Sequence, residues 1–250
     1  MPAKQNQQPI RSVLSGWINC YLPTICVVCS QNSAQKYSIC ENCEQSLPRA
    51  TALCCHCGVT LEGRLTVDAC CGRCLHNPPN FNFCKAAFPY VPPINKLVTS
   101  FKFSAKFDIG FALSKILARG INTYYRNKPM PQYLIPVPLH RKRQQLRGFN
   151  QALEISKVIS ADCSIPLLKS AVTKSKATLP QTEMASASAR SSNLKGAFLL
   201  QQPQLIQNVT HIALIDDVVT TMATAETLAH LLQNHGIRRV DVWCIARANR

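Results

Sequence analysis

The run His211-Ile-Ala-Leu-Ile-Asp-Asp-Val-Val-Thr-Thr-Met-Ala-Thr224 constrains the fold more than any other part of the chain. Ile212 to Ile215 is apolar without interruption, as a strand covered on both faces of a parallel sheet requires. From Ala223 to His235, Ala225, Leu228, Leu231 and Leu232 recur at helical spacing, and Gly236 stands where a C-terminal cap belongs. A second apolar run, Val240 to Ala246, completes a strand-helix-strand unit. The pattern predicts an α/β fold with a parallel sheet flanked by helices. In such units ligands bind outside the carboxyl ends of the strands, where Asp216 onward falls.

The turn has a chemistry of its own. A helix N-terminus leaves N–H groups unpaired and carries positive partial charge, which suits a phosphate, and Thr220, Thr221 and Thr224 add hydroxyls. Asp216 and Asp217 are acceptors and suit the paired hydroxyls of a ribose. The plainer reading is that the acids end a strand and a threonine caps a helix. A lone Asp-Asp would favour that reading; the full strand-acid-acid-Thr-Thr-helix order favours a phosphorylated sugar.

A second region runs from Ile135 to Ala152. Pro136 and Pro138 disfavour a helix there, and helical spacing resumes at Asn150, which places Arg141, Lys142, Arg143 and Arg147 on a loop between strand and helix. A solvated basic face is the plain account of such a cluster. Arg147-Gly148 before a helix start has a sharper one, since arginine with exposed amides binds a pyrophosphate. Lys102, between Phe101 and Phe103, suits either a phosphate or a snorkelling surface position. The segment 174–193 is rich in Ser, Ala and Thr and reads as a loop, either a mobile cover or an ordinary surface connection.

The amino-terminal third uses thiol chemistry. Cys26/Cys29, Cys40/Cys43, Cys54/Cys57 and Cys71/Cys74 are four CxxC pairs, the spacing at which two thiolates meet one tetrahedral zinc. Four pairs predict two structural Zn2+ sites, sequential or interleaved. Cys55 and Cys70 adjoin these ligands, with pair geometry favouring Cys54 and Cys71; His56 and His76 are possible substitutes. Cys20, Cys84, Cys163 and Cys244 are expected to be buried small hydrophobes. A disulfide framework would need an oxidising compartment, whereas no cleavable leader is visible and Val13 to Ile25 is too short and broken to span a bilayer, so the expectation is a cytoplasmic protein.

The formal net charge of +16 favours polyanions, whether a phosphorylated sugar or nucleic acid. Most of the basic excess follows residue 84. The expected organisation is a zinc-ribbon module over 1–84, with 1–19 outside its ordered part, and an α/β domain over 85–250.

Together these motifs resemble the ComF/GntX family of type I phosphoribosyltransferases. Ile212 to Thr224 resembles the binding motif for phosphoribosyl pyrophosphate (PRPP). Ile135 to His140 with Arg147 to Ala152 resembles the family's second signature, and Gln181, Arg190, Asn193 and Phe198 stand at family positions. The resemblance implies a ribose held by Asp216 and Asp217, a 5-phosphate held by Thr220, Thr221, Met222, Ala223 and Thr224, and a pyrophosphate held by Arg147 and Gly148. Lys102, Gln181 and Arg190 are weaker candidates, Mg2+ is expected with PRPP, and no catalytic acid or base is assigned. Members usually carry glycine in place of Met222. A positive φ would strain that residue, and a right-handed backbone would not.

The resemblance also implies a role in competence or DNA uptake and utilisation. Three functions fit: a transferase of unidentified acceptor, a non-catalytic PRPP or nucleotide sensor, and an accessory protein that binds single-stranded DNA or the DNA-uptake machinery.

Overall fold

The computed structural model describes residues 24–50, 52–62, 69–175 and 196–249. Contacts divide the chain into two compact units, Met1–Ser46 and Leu47–Arg250. The division falls between the second and third cysteine pairs rather than at Cys84.

In the small unit, β1 (Thr24–Ile25) pairs antiparallel with β2 (Asn32–Ser33), and α1 (Glu41–Ser46) follows. The knuckle after Cys26 closes by a 2.9 Å bond from the Ser30 amide to the Cys26 carbonyl, with Ser30 at φ 61°.

The large unit begins with a matching knuckle at Cys54–Cys57. Gly58 takes φ 64° there, and a Cβ at this position would lie 2.5 Å from the Cys84 carbonyl oxygen, so only glycine fits. Then come α2 (Gly72–His76), β3 (Phe83–Pro89), α3 (Ile94–Ser104), α4 (Phe107–Tyr124), β4 (Tyr133–Pro136), α5 (Arg141–Arg147) and α6 (Gln151–Cys163). An antiparallel ribbon of β5 (Val172–Lys174) and β6 (Phe198–Leu200) precedes the closing unit of β7 (His211–Val219), α7 (Ala223–Gln233) and β8 (Arg239–Arg247). The order β3-β8-β7-β4 is parallel throughout, which is the α/β sheet that the apolar runs predict.

Two expectations change in detail. The strand does not stop before the acids: β7 runs through Asp216 and Asp217 to Val219, because β8 continues beside it and keeps the ladder paired. The basic cluster is not a loop. Arg141–Arg147 forms a short helix, started by His140, whose side chain accepts from the Lys142 amide, and ended by Gly148 at φ 77°.

Ile212, Leu214, Val240, Val242 and Cys244 share one core with Ala225, Leu228, Ala229 and Leu232 of α7. Cys54, Cys57, Cys74 and Cys84 belong to the same core, so the second cysteine group is built into the α/β unit. Trp243 points to the opposite face, where its ring meets that of Tyr125 at 5.4 Å. At the amino-terminal end of the strands the fully buried Asp241 accepts from His211, Tyr125 and Arg239, at 2.7, 2.5 and 3.1 Å. Burial works to raise its pKa, but these hydrogen bonds win and hold it below the usual carboxylate range. No helix among the described residues is long and apolar enough to cross a membrane.

Candidate phosphate and metal sites

At the carboxyl ends of β7 and β4 a cavity of about 470 Å3 is lined by Asp216, Asp217, Thr224, Arg147, Lys102 and Lys174, among others. Strand alternation sends the two aspartates to opposite faces. Asp217 is buried and pairs with Lys102, Oδ1 to Nζ 3.0 Å. Lys102 is thus partly buried rather than snorkelling at the surface, and α3 aims it at the acids. Asp216 lies beside Asp217 and accepts its amide at 2.8 Å. Burial and the neighbouring charge of Asp217 push the Asp216 pKa up to about 7, against the pull of Lys102 and Lys174. Lys174 is itself lowered to about 8 by burial and by Arg143, while Asp216 acts to raise it.

Arg147 is held ready on the other wall. Its Nη1 donates to Gln151 Oε1 at 3.0 Å, and its guanidinium lies 5.1 Å from the ring centre of Phe103. Asn150 caps α6 by accepting from the Ala152 amide at 3.0 Å. Gly148, left-handed at the end of α5, does not line this cavity, and neither do Thr220, Thr221, Met222 and Ala223. Thr220 and Met222 instead line a small adjoining hollow of about 30 Å3, together with Asp216 and Thr224. Gln181, Arg190 and Asn193 lie outside the described residues.

The backbone at Met222 decides between the two conformations that the sequence leaves open. It is left-handed, with φ 67° and ψ −12°, and it starts α7 with no side-chain cap. The loop therefore has the shape a glycine would take. The Met222 side chain is buried in the core shared with α7, so packing offsets the backbone strain.

Among the described residues two groups of four cysteines form, Cys26/Cys29/Cys40/Cys43 and Cys54/Cys57/Cys71/Cys74, each with all sulfurs within 4.8 Å of one another, and Cys55 and Cys70 lie equally close to Cys54. The grouping is sequential. A tetrahedral zinc with Zn–S bonds of 2.3 Å sets its sulfurs about 3.8 Å apart. Cys29 and Cys40 are 3.8 Å apart and Cys57 and Cys71 3.7 Å, so both groups fit structural zinc. In each group burial opposes ionisation, yet main-chain N–H groups hold one thiol, Cys26 or Cys54, down to about 6. Burial and the neighbouring sulfurs push Cys43 and Cys74 up, as expected of thiols that need a cation before all can ionise. Cys55 and Cys70 are joined as a disulfide, which leaves Cys54 and Cys71 for the four-thiol group. Cys84 and Cys244 are buried, whereas Cys163 is only partly so and points its sulfur at the Ala118 carbonyl. Cys20 lies outside the described residues.

The chain is 37% identical over 179 residues to DNA utilization protein YhgH of Shigella flexneri, covering 71% of this chain and 77% of that one. It is 35% identical over 180 residues to Competence protein F of Haemophilus influenzae, covering 71% and 78%. The chain belongs to the ComF/GntX family. The Escherichia coli K12 protein named DNA utilization protein YhgH matches over the same length, at 36% identity. No protein-family model matches the chain. Residue-level reasoning from the family's motifs missed Arg73 and Arg247, which hold the loop after β7 from behind. Arg73 lies inside a CxxC knuckle and Arg247 at a strand end, and neither position signals a contact so distant in sequence.

Elemental analysis of chelator-free protein should find about two zincs per chain. Cys29→Ser should lose one of them with the large unit intact, while Cys57→Ser should lower the melting temperature of the large unit, because its sulfur lies in that core.

Asp216 binds more protons folded than unfolded between about pH 4 and pH 7, so its contribution to stability falls as pH rises through that window. Asp216→Asn should therefore melt higher than the parent at pH 8, by a few kcal/mol at most, and the two should converge near pH 4. Equal melting at both pH values would refute the buried-acid assignment.

Met222→Gly should relieve about 1–2 kcal/mol of left-handed strain but lose roughly 2–5 kcal/mol of buried side chain. A lower melting temperature is the expected result of chemical denaturation and calorimetry, and a higher one would contradict the packing argument.

Proposed function

We propose that the chain is a PRPP-dependent phosphoribosyltransferase acting in the cytoplasm, in the competence or DNA utilisation role that its relatives' names carry. One observation carries the reading: an adjacent acid pair, Asp216 and Asp217, shares a cavity with Arg147, Lys102, Lys174 and Thr224 at the carboxyl edge of the sheet. Acids alone would repel a phosphorylated ligand and cations alone would not select a ribose. Residues 85–250 carry the ligand-binding groups in this reading, and both cysteine groups before them are structural.

Asp216 and Asp217 accept the ribose 2- and 3-hydroxyls, and the ribose takes the place of the Lys102 ammonium beside Asp217. The loop from Thr220 through Thr221, Met222 and Ala223 to Thr224 holds the 5-phosphate on main-chain N–H groups and hydroxyls at the start of α7. Arg147, with the Gly148 amide, takes the pyrophosphate that leaves as the acceptor attacks the anomeric carbon. Mg2+ would neutralise the pyrophosphate oxygens when it enters with PRPP. Gln181 and Arg190, outside the described residues, are weaker candidates for the same ligand. The chain's own contribution is positioning and charge stabilisation.

A nucleic-acid reading has its own support. Phe103, Phe107 and Phe111 are exposed large hydrophobics, with Arg147 over the Phe103 ring and Lys115 over the Phe111 ring, and aromatic faces next to cations suit single-stranded DNA.

Calorimetry of PRPP with Mg2+ on the zinc-loaded protein tests the first reading. Asp216→Ala should weaken binding about ten- to a hundredfold, the loss of a charge-assisted hydrogen bond. A screen of purines, pyrimidines and small amines for pyrophosphate release then seeks the acceptor. No heat with PRPP, together with tight binding of single-stranded oligonucleotides that Phe103→Ala abolishes, would replace the transferase with the nucleic-acid reading. PRPP binding without any turnover would mark a sensor.

A further inference from the structure

The second cysteine group and the loop after β7 are joined by two arginines. Arg247, the last residue of β8, is 4% exposed, and its hydrogen bonds run to main-chain carbonyls. Nε donates to the Cys57 carbonyl at 2.9 Å, and Nη1 donates to the carbonyls of Val219 at 3.1 Å, Ala248 at 2.6 Å and Thr220. One rigid guanidinium thus holds a cysteine knuckle at one edge and the end of β7 at the other. Arg73 stands between Cys71 and Cys74 and makes a second tie. Its Nη1 donates to the Thr221 carbonyl and its Nη2 to Glu226 of α7, both at 3.1 Å.

The consequence follows from peptide geometry. In a trans peptide the carbonyl of one residue and the N–H of the next point in opposite directions. Arginines that hold the carbonyls of residues 219, 220 and 221 from the cysteine side therefore aim the amides of Thr220, Thr221 and Met222 away from that side. Phosphate is received on those amides in the reading above. The left-handed turn at Met222 follows directly and starts α7.

We propose that Arg247 and Arg73 are positioning residues through which the closed second cysteine site sets the shape of the 219–224 loop. Zinc at Cys54, Cys57, Cys71 and Cys74 fixes the Cys57 carbonyl and the base of the Arg73 side chain, and the two guanidinium groups pass that placement to the loop. Loss of the metal frees the knuckles and, through them, the loop. The binding consequence rests on the phosphoribosyl reading; the coupling itself does not.

Hydrogen exchange on the full-length chain, read on peptides covering 219–227, where the Glu226 amide donates to the Met222 carbonyl at 2.8 Å, separates the two. Compared with the zinc-loaded parent, Cys74→Ser should raise exchange in this loop at least tenfold, with β7 residues 211–216 still protected. Arg73→Ala, at a half-exposed side chain that leaves the fold intact, should raise it severalfold while zinc content stays at the parent value. Arg73→Lys, a single-point donor, should recover part of the protection, and Arg247→Lys should lose more than Arg73→Ala because it gives up the span between knuckle and strand. PRPP affinity of the arginine variants should fall in the same order, about threefold to thirtyfold, at constant zinc. Unchanged loop exchange in both Arg73→Ala and Cys74→Ser would overturn the proposal. Exchange that rises as stated in a protein whose parent binds no PRPP would uphold the coupling and reject the phosphoribosyl reading.

Discussion

The parallel pairing of β7 with β8 is the interaction on which the rest depends. Both strands are nine residues long and almost wholly buried, and their register sets Asp216 opposite Cys244 and Val219 opposite Arg247. Buried backbone groups must find partners, and here the ladder supplies most of them, while the Asp217 and Val218 amides donate to the carboxylates of Asp216 and Asp217. The ladder therefore extends past the apolar run and carries two carboxylates to the sheet edge in a defined order. A slip of one residue would exchange the faces of Asp216 and Asp217 and would move Arg247 off the loop it holds.

That placement is electrostatically costly. Two adjacent acids leave water, and one of them, Asp216, resists ionisation as a result. Lys102 offsets part of the cost through its 3.0 Å pair with Asp217, and Lys174 and Arg147 line the remaining wall. Such an arrangement is marginal as a stabilising feature, since buried ion pairs rarely repay their desolvation. Its value lies in being incomplete: a ligand that brings hydroxyls to the acids and phosphates to the cations satisfies both sets at once.

The cysteine groups play two different structural parts. The first closes a small unit whose buried hydrophobics, among the described residues, are Cys26 and Ile39, as metal sites commonly do in short segments. The second shares the main core with α7 and the central strands. Its carbonyls and the arginine inside its last knuckle face the loop after β7, so it works as a buttress for the α/β fold and not as an appended domain.

By itself the sequence determined the α/β class, the acid pair at a strand end and the two sets of four thiols, because each rests on local periodicity or spacing: apolar runs for strands, helical repeats for α7, CxxC for knuckles. The start of α6 at Asn150 and the Gly236 turn after α7 were legible for the same reason. Tertiary structure alone decided what depends on partners distant in the chain. The basic cluster became a helix because His140 and Gly148 cap it at both ends, and β7 continued through the acids because β8 lay alongside. Met222 took a left-handed backbone because burial of its side chain holds it there, Lys102 turned inward to Asp217, and Arg73 and Arg247 reached carbonyls well over a hundred residues and some thirty residues away. Hydrophobic period and ligand spacing are written within a few turns of chain, whereas the cost of burying a charge or an unpaired carbonyl is settled only by what folds against it.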